Sequence, residues 1–298
     1  GSDAAARRLD ALTAMAALAK KPHRAVILVT ANALLQRVAP ADLIEAQNFH
    51  ARPGNQIDMN ALVARLETSG FDRVPTVRAI GEFAVRGGIL DLFAPGWPEA
   101  LRLDFFGDTL ESIRAFDVAS QRTTGQRKEM SLQAMSEVAL TPEIISRFRR
   151  AYIEAFGAPS RDDALYAAVS EGRRFAGMEH WLPLFYERLD TVFDYLPDAP
   201  VVFDHLAKEA LAERHTLILD HYEARRQQAD GALKDAVPYK PVPPDRMYLS
   251  PETLQAGLAE RQTLEFTPFA APDSGDRKVY HAGSRAGRSF AEERADPN

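Results

Sequence analysis

Between residues 81 and 117 the hydrophobic pattern takes a period of two and keeps it across two glycine turns, an arrangement few folds accept. In GEFAVRGGILDLFAPG (81–96), Phe83, Val85, Ile89, Leu90, Leu92 and Phe93 can all enter a core, yet Arg86 and the pair Gly87-Gly88 interrupt them. In LRLDFFGDTLESIRAFD (101–117), Gly107-Asp108 separates two alternating runs. Two glycine-containing residues between such runs specify a hairpin. The region therefore reads as a four-stranded antiparallel meander. Alternation places Leu101, Leu103 and Phe105 on one face and Arg102, Asp104 and Phe106 on the other. The leucine face needs a helix, and MNALVARLETS (59–69) supplies one, with Asp58 as N-cap, Ile57 and Leu62 as a hydrophobic staple, and Gly70 to end it.

The opposite face carries the chemistry. An antiparallel sheet can keep one face in water, where Arg102 beside Asp104 would be an ordinary surface ion pair. An outward phenylalanine at the end of that row is less expected, because arginine and aromatic residues are the types concentrated at interfaces. Spacing alone leaves plain surface and interface both open. Gly87 and Gly88 permit positive φ and the approach of a partner backbone, so Arg86 is expected to be held by the turn and aimed outward. Asp104 is expected to orient Arg102.

Charge separates the meander from its flanks. The net charge is −6, divided as +2 over residues 1–47 (six basic, four acidic), −1 over 48–134 (ten and eleven) and −7 over 135–298 (twenty and twenty-seven). A chain of this balance is poorly suited to gripping nucleic acid unaided. The leading Gly1-Ser2 reads as a remnant of expression, so a piece of a longer protein is expected. Cysteine is absent, which excludes disulfides and thiolate metal sites and fits a reducing cytoplasm.

Residues 5–19 have helical spacing, and AVILVT (25–30) reads as a parallel strand feeding ANALLQRV (31–38), with Thr30 as cap. SQRTTGQRKEMS (120–131) reads as a linker. Beyond it, Thr141 and Pro142 start a helix with Ile144, Phe148, Tyr152 and Phe156 on one face, and RDDALYAAVSEG makes another. A strand then runs into a long helical stretch from Pro200. The polar end, from Ala271 onward, shows little periodicity and is expected to be poorly ordered.

Catalytic and metal motifs are not apparent. No G-x-x-x-x-G-K-[ST] occurs, and GSRAGRSF (283–290) lacks the lysine of a phosphate loop. His205, His215 and His221 are not in ligand spacing; Asp162-Asp163 precedes a helix as a cap would, and RFRR (147–150) reads as a solvated helix face. Neither a catalytic residue nor a metal site is expected.

The two meander segments together resemble the region shared by the UvrB/Mfd family of bacterial repair proteins. ANALLQRV and GMEHWLPLFYERLDTVFDYLPD (177–198) are similar to the transcription-coupling branch. The resemblance implies a multidomain chain, α/β and α+β, with pieces of a degenerate UvrB-like helicase-type α/β domain (1–47 and 135–298) flanking a small α+β domain with the meander (48–134). It further implies that 48–134 recruits UvrA, with Arg86, Arg102 and Phe106 at the family's contact positions and Asp104, Gly87 and Gly88 in support. In the intact family protein, ATP and magnesium belong to a motor, and RNA polymerase and DNA bind through other regions; the protein's own C-terminal domain masks the UvrA face. None of these is expected of this chain, whose location is expected to be the bacterial cytoplasm. The alternative is a UvrB-type ATP-dependent helicase fragment acting on DNA, which would need the phosphate loop and basic track that the sequence lacks.

Overall fold

A computed structural model describes residues 2–133, 136–230, 239–269, 272 and 278–283. Helix α1 (Ser2–Lys20) buries Leu9, Leu12, Met15 and Ala16, the stripe that its spacing predicts. Thr30 caps α2 (Ala31–Leu35) by accepting from the Ala33 N–H at 3.3 Å, and α3 (Ala41–Ala46) follows. Residues 25–30, however, form no strand: Val26 is 88% and Leu28 93% exposed. A β-branched run favours a pleated surface, but a strand exists only where a neighbour completes its hydrogen bonds. Among the described residues none pairs with this segment.

The period-two region forms a sheet of six strands rather than four. After β1 (Phe49–Ala51) and α4 (Met59–Ser69) come β2 (Asp72–Arg73), β3 (Glu82–Arg86), β4 (Ile89–Leu92), β5 (Ala100–Phe106), β6 (Thr109–Phe116) and β7 (Thr123–Arg127), side by side in that order from β2 to β7. All neighbours are antiparallel except β2, which lies parallel to β3. Both unforeseen strands are at edges. β7 occupies the stretch read as a linker, which corrects that reading: an edge strand exposed along most of its length needs no apolar residues, so its composition imitates a loop. Met130–Leu132 (β8) then pairs with β1, so the chain enters and leaves this unit through one two-stranded ribbon.

Helix α4 covers the inner face. Asp58 accepts from the Asn60 and Ala61 N–H groups, and Gly70, at φ 101°, ends the helix. Leu62 and Leu66 pack with Leu90, Leu92, Leu101, Leu103 and Ile113. Burying one such leucine is worth about 2 kcal/mol.

The flanking regions share a core of their own. Helix α5 (Pro142–Phe156), capped by Thr141, and α6 (Ala164–Ser170), capped by Asp163, bury Phe148, Tyr152 and Val169 against Trp181, Leu182 and Phe185. Leu9, Ala39 and Ile44 from the front of the chain enter that same cluster. Residues on both sides of the sheet unit are thus packed together, as an interrupted domain requires. Further on are α7 (Val192–Tyr195), β9 (Val201–Phe203), α8 (Ala207–Asp230), α9 (Pro244–Met247), α10 (Pro251–Ala259) and β10 (Thr263–Glu265). β9 and β10 pair in parallel, which keeps the α/β character on a small scale. No helix among the described residues is long and apolar enough to cross a membrane. Most of the polar end from residue 271, including GSRAGRSF apart from Gly283, lies outside the described residues.

Arg174 joins the two units. Its Nη2 donates to the Thr68 and Val138 carbonyls, both at 3.0 Å, and so caps the C-terminal end of α4 from the rear unit. A side chain on Gly70 would meet this guanidinium at 2.6 Å.

Candidate protein-interaction face

The outer face of the sheet is organised by cross-strand rows, and its central row runs Ala84, Asp91, Arg102, Arg114, Gln126 across β3 to β7. Facing residues in such a row are near enough to pair. Asp91 is fully buried and accepts from Arg102 twice, Nε to Oδ1 at 2.7 Å and Nη2 to Oδ2 at 2.9 Å. Arg86, diagonal to it across the turn, adds a third bond from Nη2 to Oδ2 at 2.6 Å. One carboxylate therefore holds both arginines. Its hydrogen bond raises the Arg102 pKa further above an already high ordinary value.

The two arginines differ in what they offer. Arg102 is 15% exposed, and its guanidinium lies 4.7 Å from the centre of the Phe116 ring, so a bidentate pair and an aromatic face occupy it. Arg86 is 50% exposed. Asp104 does not orient Arg102 as alternation suggested; it accepts from Arg114 at 2.7 and 2.9 Å and from the Ser112 hydroxyl at 2.6 Å. The reason is register: Asp104 faces Ser112, while Arg102 faces Asp91 on its other side. Burial pushes the Asp104 carboxyl up, but the bonds from Arg114 and Ser112 outweigh it and hold the pKa below the ordinary value.

Phe106 is 76% exposed at the end of β5, while Phe105 turns inward to the core. The register shifts just before this pair, leaving Glu111 of β6 as the extra residue of a bulge. Gly107, at φ 57°, makes the turn beyond it. Phe106 thus shares the face of Arg102 and lies two alternations along the strand from it.

The two glycines have separate tasks. Gly87, at φ 59°, supplies the left-handed residue of the two-residue turn. Gly88 provides a close approach, to this chain's own backbone rather than a partner's: its carbonyl accepts from the Phe105 N–H at 2.7 Å, and a Cβ there would lie 2.7 Å from the Phe105 carbonyl oxygen.

Alternation missed Asp91, the residue at the centre of the network. The signal was present in ILDL, where a lone acid stands between leucines. Extending the alternation to β4 sets Asp91 on the outer face, and the hairpin register sets it opposite Arg102. Among the described residues no three His, Cys, Asp or Glu side chains are placed to hold a metal ion.

Residues 49–137, which contain this face, match the family described as UvrB interaction domain. Transcription-repair-coupling factor of Rickettsia conorii is 32% identical over 261 residues, covering 88% of this chain and 23% of that protein. The Escherichia coli factor is 35% identical over 193 residues, or 64% of this chain and 17% of its own length. The chain is a homologue of the transcription-repair-coupling factors. The factor of Myxococcus xanthus is 36% identical over 250 residues, 80% of this chain and 20% of its own length. The chain spans between a sixth and a quarter of these coupling factors.

Proposed function

We propose that the chain is a non-catalytic module that recruits UvrA, using the outer face of its sheet in the way UvrB does. The domain division that goes with this reading makes 48–134 the recruiting domain and 1–47 with 135–298 its UvrB-like support. The observation that carries it is Phe106, a large apolar side chain 76% exposed on the same face as a half-exposed, pre-oriented Arg86, within the segment that matches a UvrB interaction domain. Arg86 gives the face its exposed positive charge, Arg102 stands paired with Asp91 behind it, and Phe106 is the group whose apolar surface a partner would cover. Neutralised neighbours make this a contact of shape and directed hydrogen bonds rather than of bulk charge. Engagement of RNA polymerase and DNA, the ATP-driven motor and the C-terminal mask belong on this reading to other regions of a longer cytoplasmic protein.

The test is co-migration of the chain with cognate UvrA on a sizing column, followed by titration calorimetry. Phe106→Ala is expected to weaken the complex by about 2 kcal/mol, roughly thirtyfold. Being exposed, it should change folding stability by less than about 0.5 kcal/mol. Absence of a complex with the unaltered chain, or affinity indifferent to both Phe106→Ala and Arg86→Ala, would remove this face from the function.

A further inference from the structure

We infer that Asp91 is the positioning residue of the recruiting face, that Arg86 is the arginine it presents to the partner, and that Arg102 acts from within the sheet. This rests on the recruitment reading for the identity of the partner, although the positioning itself is a property of the free chain. Asp91 is 1% exposed in its side chain and accepts three hydrogen bonds, all from these two guanidinium groups. Buried, it touches no partner directly. Arg102 brings two donors to Asp91 and its ring-facing surface to Phe116, and keeps 15% exposure. Arg86 brings one donor and is left with the rest of its five N–H groups on a half-exposed fork.

A long arginine normally loses considerable rotamer freedom when a partner immobilises it. Tethering through one Nη in the free chain removes part of that loss and leaves the other N–H groups in a fixed plane. A planar fork of that kind fits a carboxylate on the partner. The balance of the network agrees: Arg86, Arg102 and Arg114 face two carboxylates, Asp91 and Asp104, which leaves one positive charge in excess. It resides on Arg86, the most exposed of the three. The partner feature inferred is thus an acidic side chain beside an apolar recess that accepts Phe106.

The experiment is a double-mutant cycle on UvrA affinity, paired with NMR of the free chain. Asp91→Asn removes the charge in nearly the same shape and is expected to weaken UvrA on the order of tenfold; Arg86→Ala should lose at least as much. Together the two substitutions should weaken binding no further than Arg86→Ala alone, because Asp91 acts through Arg86. In the free chain the Arg86 Nε–H should change from ordered to averaged in Asp91→Asn. If Asp91→Asn fails to fold because Arg102 is left buried without a counter-charge, Asp91→Asn with Arg102→Gln keeps a neutral pair in place and should show the same loss and the same averaging. Losses that multiply in the double variant, or an Arg86 signal unchanged by loss of the carboxylate, would overturn the inference. Failure of the unaltered chain to bind UvrA would instead overturn the recruitment reading, and the NMR comparison would still decide whether Asp91 positions Arg86.

Discussion

Replacing the two adjacent glycines of the β3–β4 turn one at a time should give unequal results, and the larger effect should fall on the residue with the less unusual backbone. Gly87 sits at φ 59° with nothing within 4 Å of a built Cβ. Alanine there meets only the left-handed penalty, about 1–2 kcal/mol. Gly88 has no such φ, but its Cβ would come within 2.7 Å of the Phe105 carbonyl oxygen, 0.7 Å short of the 3.4 Å at which ordinary contact begins. That oxygen is backbone and cannot rotate away. Relief requires β4 and β5 to separate at this end, where the Phe105 N–H donates to the Gly88 carbonyl at 2.7 Å. Overpacking of this kind costs roughly 1–3 kcal/mol, and loss of the hydrogen bond adds about 1, so Gly88→Ala should cost about 2–4 kcal/mol. Hydrogen exchange of peptides spanning 83–106 through a urea series reads the midpoint of the sheet itself. Because the same separation draws Arg102 of β5 away from Asp91 of β4 and so loosens the carboxylate that holds Arg86, affinity for UvrA should fall further for Gly88→Ala than for Gly87→Ala. Equal midpoints for the two variants would mean that the strands yield at little cost, and the argument from close approach would fail.

Two further outcomes concern the support of the face. Arg174→Ala removes the donors that the Thr68 and Val138 carbonyls share; hydrogen bonds from a charged group predict a loss of about 2–4 kcal/mol in urea unfolding, with faster exchange at the C-terminal end of α4. Tyr186 donates to the Glu137 carbonyl at 2.5 Å, and burial pushes its phenol up to about 12. Since the folded pKa lies above the unfolded value of about 10, its contribution is complete below pH 10 and is lost as pH rises to 12, about 2–3 kcal/mol in all. Tyr186→Phe should flatten the fall in stability over that interval and leave the profile below pH 9 unchanged in slope.

What the sequence made legible followed from local rules. Caps at Asp58, Thr30 and Thr141, the helix end at Gly70 and the inward set Leu101, Leu103 and Phe105 all depend on residues a few positions apart, and all are present. The shared face of Arg102, Asp104 and Phe106 came from alternation in the same way. Pairings across strands were harder to see. Which acid serves which arginine depends on register: alternation along β5 sets Asp104 on the face of Arg102, whereas the pairing of strands gives Asp104 to Arg114 and gives Arg102 to Asp91 of β4. The strand expected at 25–30 failed for the opposite reason: its composition is right, and no neighbour among the described residues completes it. β7 has a neighbour, and becomes a strand despite its composition.

A buried ion pair is weak evidence of stability, since well-packed apolar residues in its place often hold a fold as well or better. The Asp91–Arg102 pair therefore needs another reason to exist at the centre of a sheet whose opposite face is already a full leucine core. The row itself suggests one. Arg102 stands directly opposite Arg114, a like-charged pairing that would be unfavourable alone. Asp91 on one flank and Asp104 on the other convert it into an alternating array in which each guanidinium is fixed by two hydrogen bonds. An array so fixed cannot rearrange to neutralise a third arginine fully, and Arg86 donates a single bond, to an oxygen that already accepts from Arg102. The partial pairing of Arg86 thus follows from the complete pairing of its neighbours: the network carries one positive charge in excess, and the half-exposed Arg86 fork is held in a set place on the same face as the exposed Phe106 ring.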